Sequence, residues 1–233
     1  MIKKAKQTFD AYAEDYDAAL AQGLAVSGEN KDYFARHRIE WLRRCLLKNK
    51  FLEPTRVMDY GCGTGSSTPY LLAILGAKFL IGADQSAKSL EIARKTIHSD
   101  AVRFLSIDDC RPDSSFDLVF CNGVFHHIPI DERQPAIDYI FRALRPGGIF
   151  AFWENNPWNP GTRYVMSQIP FDRDAVTLSA PAAKLLLRQG GFDILRTDFL
   201  FIFPNILRGF RWIERYCSWL PLGAQYQVLC QKR

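Results

Sequence analysis

The chain has 233 residues, 48% hydrophobic and 24% charged, which suits one large α/β domain with an ordinary folded core. Its formal charge is +5 without a long Lys/Arg block, so the composition argues against nucleic acid as the main partner. Six cysteines, none in a C-x-x-C pair and none beside a histidine cluster, exclude a zinc framework and predict no metal.

Met1-Ile2-Lys3-Lys4-Ala5-Lys6 lacks the apolar run of an export signal, so reduced thiols and a cytoplasmic location are expected. No segment approaches the roughly 18 apolar residues of a spanning helix. Residues 1–50 predict helices, with a polar break at Ser27-Gly28-Glu29-Asn30. From 55 to 153, short apolar runs alternate with helical patterns. Arg56 to Asp59, Phe79 to Ala83, Val102 to Ile107, Phe116 to Cys121 and Ile149 to Trp153 read as strands. Strands alternating with helices imply a parallel sheet covered on both faces.

Beyond the fifth strand, Pro157, Pro160, Gly161 and Pro170 predict a loop-rich insertion over 154–175. Pro181 to Gln189 reads as a helix closed by Gly190-Gly191, and Phe192–Phe203 and Ala224–Lys232 as two last strands. Between them, 204–222 is amphipathic, with Asn205 as the expected helix cap. Ile206, Phe210, Ile213, Cys217 and Leu220 then share one face, and Arg208, Arg211 and Arg215 another. Three readings stay open for this segment: packing on the sheet edge, a wall of the acceptor pocket or dimer contact, and contact with an anionic membrane.

Val57-Met58-Asp59-Tyr60-Gly61-Cys62-Gly63-Thr64-Gly65-Ser66 carries the strongest chemical signal. A strand feeds a turn with Gly at every second position, which lets backbone approach a ligand closely. A pyrophosphate-binding turn wants its third Gly one residue later, and the Asp59 carboxylate repels pyrophosphate. The same acid suits a ligand carrying a sulfonium and an ammonium, which favours S-adenosylmethionine over a nicotinamide dinucleotide. Asp84, with Gln85 after it, ends the second strand, where an acid accepts hydrogen bonds from both ribose hydroxyls. Asp108 ends the third and is placed to accept from an adenine amino group, with Ile107 against the ring.

These pieces, with Phe116 to Ile128 and Leu144-Arg145-Pro146-Gly147-Gly148, resemble the class I, Rossmann-like S-adenosylmethionine-dependent methyltransferases of small-molecule type. The resemblance implies a seven-stranded, mostly parallel sheet with an antiparallel last strand and helices on both faces. It makes 1–50 an N-terminal helical lid over a core of 51–233, with Tyr12 and Tyr16 covering the cofactor. It sets Asn122 beside the methionine part, and His126 and His127 toward the acceptor as candidate bases. S-adenosylhomocysteine is then the product.

Glu154-Asn155-Asn156-Pro157-Trp158 superficially resembles the motif of nucleic-acid amino-methyltransferases but follows the wrong strand. Glu154 and Trp158 are expected to line the acceptor pocket instead. Asn155 to Asp172, with the ending Leu220-Pro221-Leu222-Gly223-Ala224-Gln225-Tyr226, resembles a bacterial subgroup grouped with surface-glycan or secondary-metabolite pathways. The expected reaction is methyl transfer to O or N of a small molecule. A non-catalytic cofactor-binding regulator on the same fold is the alternative.

Overall fold

The computed structural model describes residues 16–173 and 175–233. Tyr12 therefore lies outside the described residues. Tyr16 opens the first helix, and its side chain also lies outside the description.

The described residues build one seven-stranded sheet, β1 (Arg56–Tyr60), β2 (Phe79–Asp84), β3 (Val102–Ser106), β4 (Phe116–Asn122), β5 (Leu144–Asn155), β6 (Phe192–Leu200) and β7 (Gln225–Lys232), in the order 3-2-1-4-5-7-6. Every pairing is parallel except those of β7, which runs antiparallel between β5 and β6. β1 lies between β2 and β4, with Val57 opposite Leu80 and Leu118, so the strand carrying the glycine turn is central. Side chains alternate across the sheet. Met58 packs with Val119 and Phe152 on one face, and Val57 with Leu80 and Leu118 on the other.

Helices cover both faces. On the Met58 side lie α5 (Ile130–Ala143), through Ile137 and Ile140, and α7 (Ala180–Gln189), through Ala183 and Leu187. On the Val57 side lie α2 (Lys31–Lys48) and α3 (Thr68–Leu75). α4 (Ala87–Thr96) packs Leu90 and Ala93 on Phe104 of β3, and the Ser86 side chain caps it by accepting from the Ser89 amide.

α2 is more than a lid. Asn30 caps it by accepting from the Tyr33 amide, and Ile39, Leu42 and Leu46 point into the core. Each such side chain contributes about 1.5–3 kcal/mol by burial, so a boundary at residue 50 divides one packed unit. α1 (Tyr16–Leu24), the following turn, Ala25–Ser27, and the first turns of α2 line the cavity at the carboxyl ends of the strands.

The loop-rich insertion expected over 154–175 is largely helical. Asn159 caps α6 (Pro160–Gln168) by accepting from the Thr162 amide, and Pro160 occupies its first turn. Pro-Gly, read as a loop signal, is here a helix start, because a first-turn residue needs no N–H partner. β6 stops three residues earlier than the pattern predicts, because Phe201 takes a left-handed φ of 63°.

The segment after Pro204 is a 3₁₀ helix over Asn205–Ile213, followed by α8 (Glu214–Cys217). Asn205 does not cap it; its side-chain amide donates to the Gly28 carbonyl. Of the apolar face expected to pack on the sheet edge, Ile206 and Phe210 are exposed, while Ile213, Cys217 and Leu220 are half-buried; Trp212 and Trp219 are exposed as well. Arg211 does not share a solvent face with Arg208 and Arg215. It turns inward to an ion pair with Glu29 at 2.9 Å and lies over the Tyr33 ring.

Candidate active site

The ends of β1, β2, β4 and β5 converge where the strand order reverses, between β1 and β4. Parallel α/β sheets bind ligands at such a point. A cavity of about 480 Å³ opens there. Its floor is the glycine turn with Asp59, Asn122 and Gly123. Its walls come from α1, α2, α6 and the segment after β6.

The turn is shaped by its glycines. Gly61 has φ +74°, and a Cβ there would lie 2.3 Å from the Val124 side chain. Gly63 has φ +53°, yet a Cβ there would meet nothing within 4 Å. Gly61 is thus fixed by packing and φ, while beside Gly63 the space is open. Asp84 secures the turn from the neighbouring strand, accepting at 2.8 Å from the Gly63 amide and at 2.8 Å from the Ser86 amide.

Asp59 is 3% exposed, and its Oδ2 has no hydrogen-bond partner. Burial, then the neighbouring Asp84 charge, push its carboxyl up to about 7, against the pull of Arg38. The Asn122 side-chain oxygen is likewise buried without a partner. Both residues line the cavity. Two buried acceptors beside a steric opening fit a ligand carrying ammonium and sulfonium charge. Buried acceptors without donors cost about 1–3 kcal/mol each, and such a ligand supplies what they lack. The residues therefore fit S-adenosylmethionine.

Asp84, Gln85, Ile107 and Asp108 stand at the adjacent ends of β2 and β3, outside the lining of this cavity. Gly65 closes the turn, its amide donating to the Cys62 carbonyl at 2.9 Å. Cys62 lines the cavity floor.

At the far wall, His126 and His127 sit in a short 3₁₀ turn after β4. His126 is fully enclosed: its Nδ1 is 2.6 Å from a Glu154 carboxylate oxygen, and its Nε2 is 3.5 Å from Asp172. Burial alone would lower its pKa, but the Glu154 and Asp172 carboxylates outweigh burial and raise it well above the ordinary histidine range. The two carboxylates thus favour the imidazolium form of His126, which weakens it as a proton acceptor. His127 Nε2 lies 3.2 Å from the same Asp172 oxygen. Burial, then the charge on His126, depress its pKa, so it is neutral at pH 7. For Asp172 the histidine hydrogen bonds overcome burial and hold the carboxyl at about 2. The ligand atoms of His126, His127 and Asp172 lie within 4.8 Å of one another, and each is paired within the cluster.

Two expected pocket residues lie elsewhere. Glu154 is fully buried behind His126, where it also accepts from the Phe125 amide at 2.7 Å. Trp158 is half exposed and stacks on Phe199. Asn155, Asn159 and Thr162 line the cavity instead. Sequence reasoning did not single out Asp172, Arg38 or Gln225 as site residues. Arg38 Nε donates to the Gln225 side chain at 2.7 Å across 187 residues of chain, a contact no local pattern signals.

The sheet order, glycine turn and strand-end acids define the class I, Rossmann-like S-adenosylmethionine-dependent methyltransferases, and S-adenosylmethionine is the cofactor of this fold. Residues 58–152 match the family model of the methyltransferase domain. A trans-aconitate 2-methyltransferase from Rhizobium leguminosarum is 33% identical over 128 residues, 55% of this chain and 49% of that protein. Another from Variovorax paradoxus is 30% identical over 178 residues, 76% of this chain and 56% of that one. The chain thus spans about half the length of these curated relatives. A methyltransferase structure from Thermotoga maritima, described as a possible histamine N-methyltransferase, superposes with a TM-score of 0.67 at 21% identity. It covers 98% of this chain and all of that one, a likeness of fold.

Proposed function

We propose that the protein transfers the methyl group of S-adenosylmethionine to an oxygen or nitrogen of a small, largely apolar acceptor. The observation that carries this reading is the placement of His127 and Asp172 on the wall of the same cavity whose floor holds Asp59 and Asn122. The cofactor supplies an electrophilic methyl whose leaving group is neutral, so alignment and exclusion of water account for much of the rate.

Each residue has a role in this proposal. Asp59 and Asn122 hold the amino-acid end of the cofactor. Gly61, Cys62, Gly63 and Gly65 let its body approach the backbone. Asp84 and Gln85 take the ribose, and Ile107 and Asp108 the adenine. His127 is neutral at pH 7 and lines the cavity, so it accepts the acceptor's proton, while Asp172 stabilises the imidazolium that forms. His126 and Glu154 position Asp172 from behind. Leu20, Leu24, Phe34, Val165, Met166 and Phe201 in the walls favour an apolar acceptor body over a tricarboxylate such as trans-aconitate. A surface-glycan or secondary-metabolite context has the resemblance of residues 155–172 as its support.

The test is transfer of labelled methyl to a panel of apolar alcohols and amines, with trans-aconitate included. Label should appear on an apolar acceptor, and His127→Ala should lower turnover roughly 10²–10⁴-fold with S-adenosylhomocysteine affinity nearly kept. Tight S-adenosylhomocysteine binding with no transfer to any acceptor would establish the non-catalytic alternative.

A further inference from the structure

The segment after β6 leaves most of its large apolar side chains in solvent. Ile206 is 91% exposed and Trp219 71%, and Phe210, Trp212, Tyr216 and Leu222 are more than half exposed. Among the described residues, Phe203 lies beside the Phe210 ring at 6.0 Å. Isolated exposed apolar residues are ordinary, but a cluster of this size within 17 residues, Ile206 to Leu222, marks a contact surface.

Its charge has one sign. Arg208 and Arg215 are exposed within it. Its one acid, Glu214, is turned inward and accepts from the amides of Phe201, Ile202 and Phe203 at 3.3, 3.1 and 3.0 Å. The Glu214 clamp and the Arg211–Glu29 ion pair fix the segment to the body of the protein with its aromatic side outward. Trp, Tyr and Arg side by side are the composition of a membrane interface, where aromatic rings sit at headgroup depth and guanidinium groups meet anionic lipid. A second copy would bring its own Arg208 and Arg215 to the contact and repel the first pair.

The surface also continues into the cavity. Ile202, Phe203, Pro204 and Arg211 line the cavity wall immediately before and within this segment. Val26, itself exposed, lines the cavity with them. An acceptor held in a bilayer would therefore reach the apolar walls without crossing water.

We propose that residues 204–222 dock the protein on an anionic lipid bilayer and present a lipid-borne acceptor to the cavity. This rests on the methyl-transfer reading for the acceptor alone; the docking stands without it. The docking follows peripheral rules, since no helix among the described residues is long and apolar enough to cross a membrane. Two weak terms, aromatic insertion and arginine–lipid attraction, must act together for stable binding.

The experiment is co-sedimentation of the full chain with phosphatidylcholine vesicles, with and without phosphatidylglycerol, at low and high salt. Pelleting should require the anionic lipid and be lost at high salt. Arg208→Gln with Arg215→Gln should weaken it roughly fivefold for each charge removed. Trp212→Ala with Trp219→Ala should abolish it. S-adenosylhomocysteine affinity, measured on the same variants, should be unchanged and shows that they are folded. Brominated lipids should quench the wild-type tryptophan fluorescence, a readout that needs no variant. Absence of pelleting on anionic vesicles, pelleting indifferent to both pairs of changes, or a tryptophan-dependent dimer in sedimentation equilibrium would each overturn the proposal. If docking holds and no lipid-borne acceptor is methylated, the acceptor reading alone fails.

Discussion

Replacing Asp59 by Asn should stabilise the ligand-free protein and weaken its hold on the cofactor. Asp59 is buried with an unpaired oxygen, and its carboxyl is raised from 3.8 to about 7. The folded state therefore binds this proton more tightly than the unfolded chain does. The associated stability is fully present below pH 3.8 and is lost as pH rises through about 7. Above pH 7, the ionised form costs on the order of 4 kcal/mol in the free protein, at about 1.4 kcal/mol for each tenfold change in proton affinity. The amide removes that cost but buries a new unpaired N–H, worth about 1–3 kcal/mol against it. The net gain at high pH is about 1–3 kcal/mol, or a rise in Tm of roughly 2–10 °C for a chain of this size.

The gain should grow by about 2 kcal/mol between about pH 5.5 and 8, because the wild-type carboxyl ionises across that interval. Asp84 and Arg38 are the two charges that act on Asp59, the first raising and the second lowering its pKa. Denaturant unfolding at both pH values measures the change. Calorimetry with S-adenosylhomocysteine should show wild-type affinity rising with pH up to about 7 as the carboxylate forms, and a flat, weaker profile for Asp59→Asn. A variant that gains no stability at pH 8, or binds the ligand as well as wild type, would refute the reasoning.

Asp84→Ala should weaken S-adenosylhomocysteine roughly ten- to hundredfold in calorimetry, since it removes the proposed ribose acceptor and frees the Gly63 amide it now holds. Gly63→Val should abolish binding with a modest loss of Tm, because the added side chain enters open space at a φ that L-residues disfavour. Asp172→Asn should cost roughly 10²–10⁴ in turnover and move the acid limb of the pH–rate profile downward. That carboxylate opposes the lowering of the His127 pKa, so its removal makes His127 a still weaker base.

The local pattern of this sequence determines a good deal by itself. The alternation of apolar strands and helices sets the parallel core, because period-2 and period-3.6 burial are properties of short windows. The glycine turn and the acids at or just after the ends of β1, β2 and β3 are legible for the same reason: each proposed role rests on one residue at one strand end. The order 3-2-1-4-5-7-6 then sets the ends of β1 and β4 side by side at the cavity floor, with those of β2 and β3 beside it.

Tertiary structure decided what depends on distant partners. His126 and His127 look equivalent in sequence. The Glu154 carboxylate, 28 residues away, and Asp172, 46 away, raise the pKa of His126, while burial and the neighbouring charge lower that of His127, although both rings line the cavity. α2 reads as a lid until Ile39 and Leu42 meet the sheet. Helical spacing in 204–222 groups apolar and basic residues on separate faces, but spacing carries no information about what covers a face. Glu29 and the amides of residues 201–203, all outside the segment, turn Arg211 and Glu214 inward and leave the aromatic residues to solvent. Local periodicity determines which side chains lie together; only long-range pairing determines which of them water reaches.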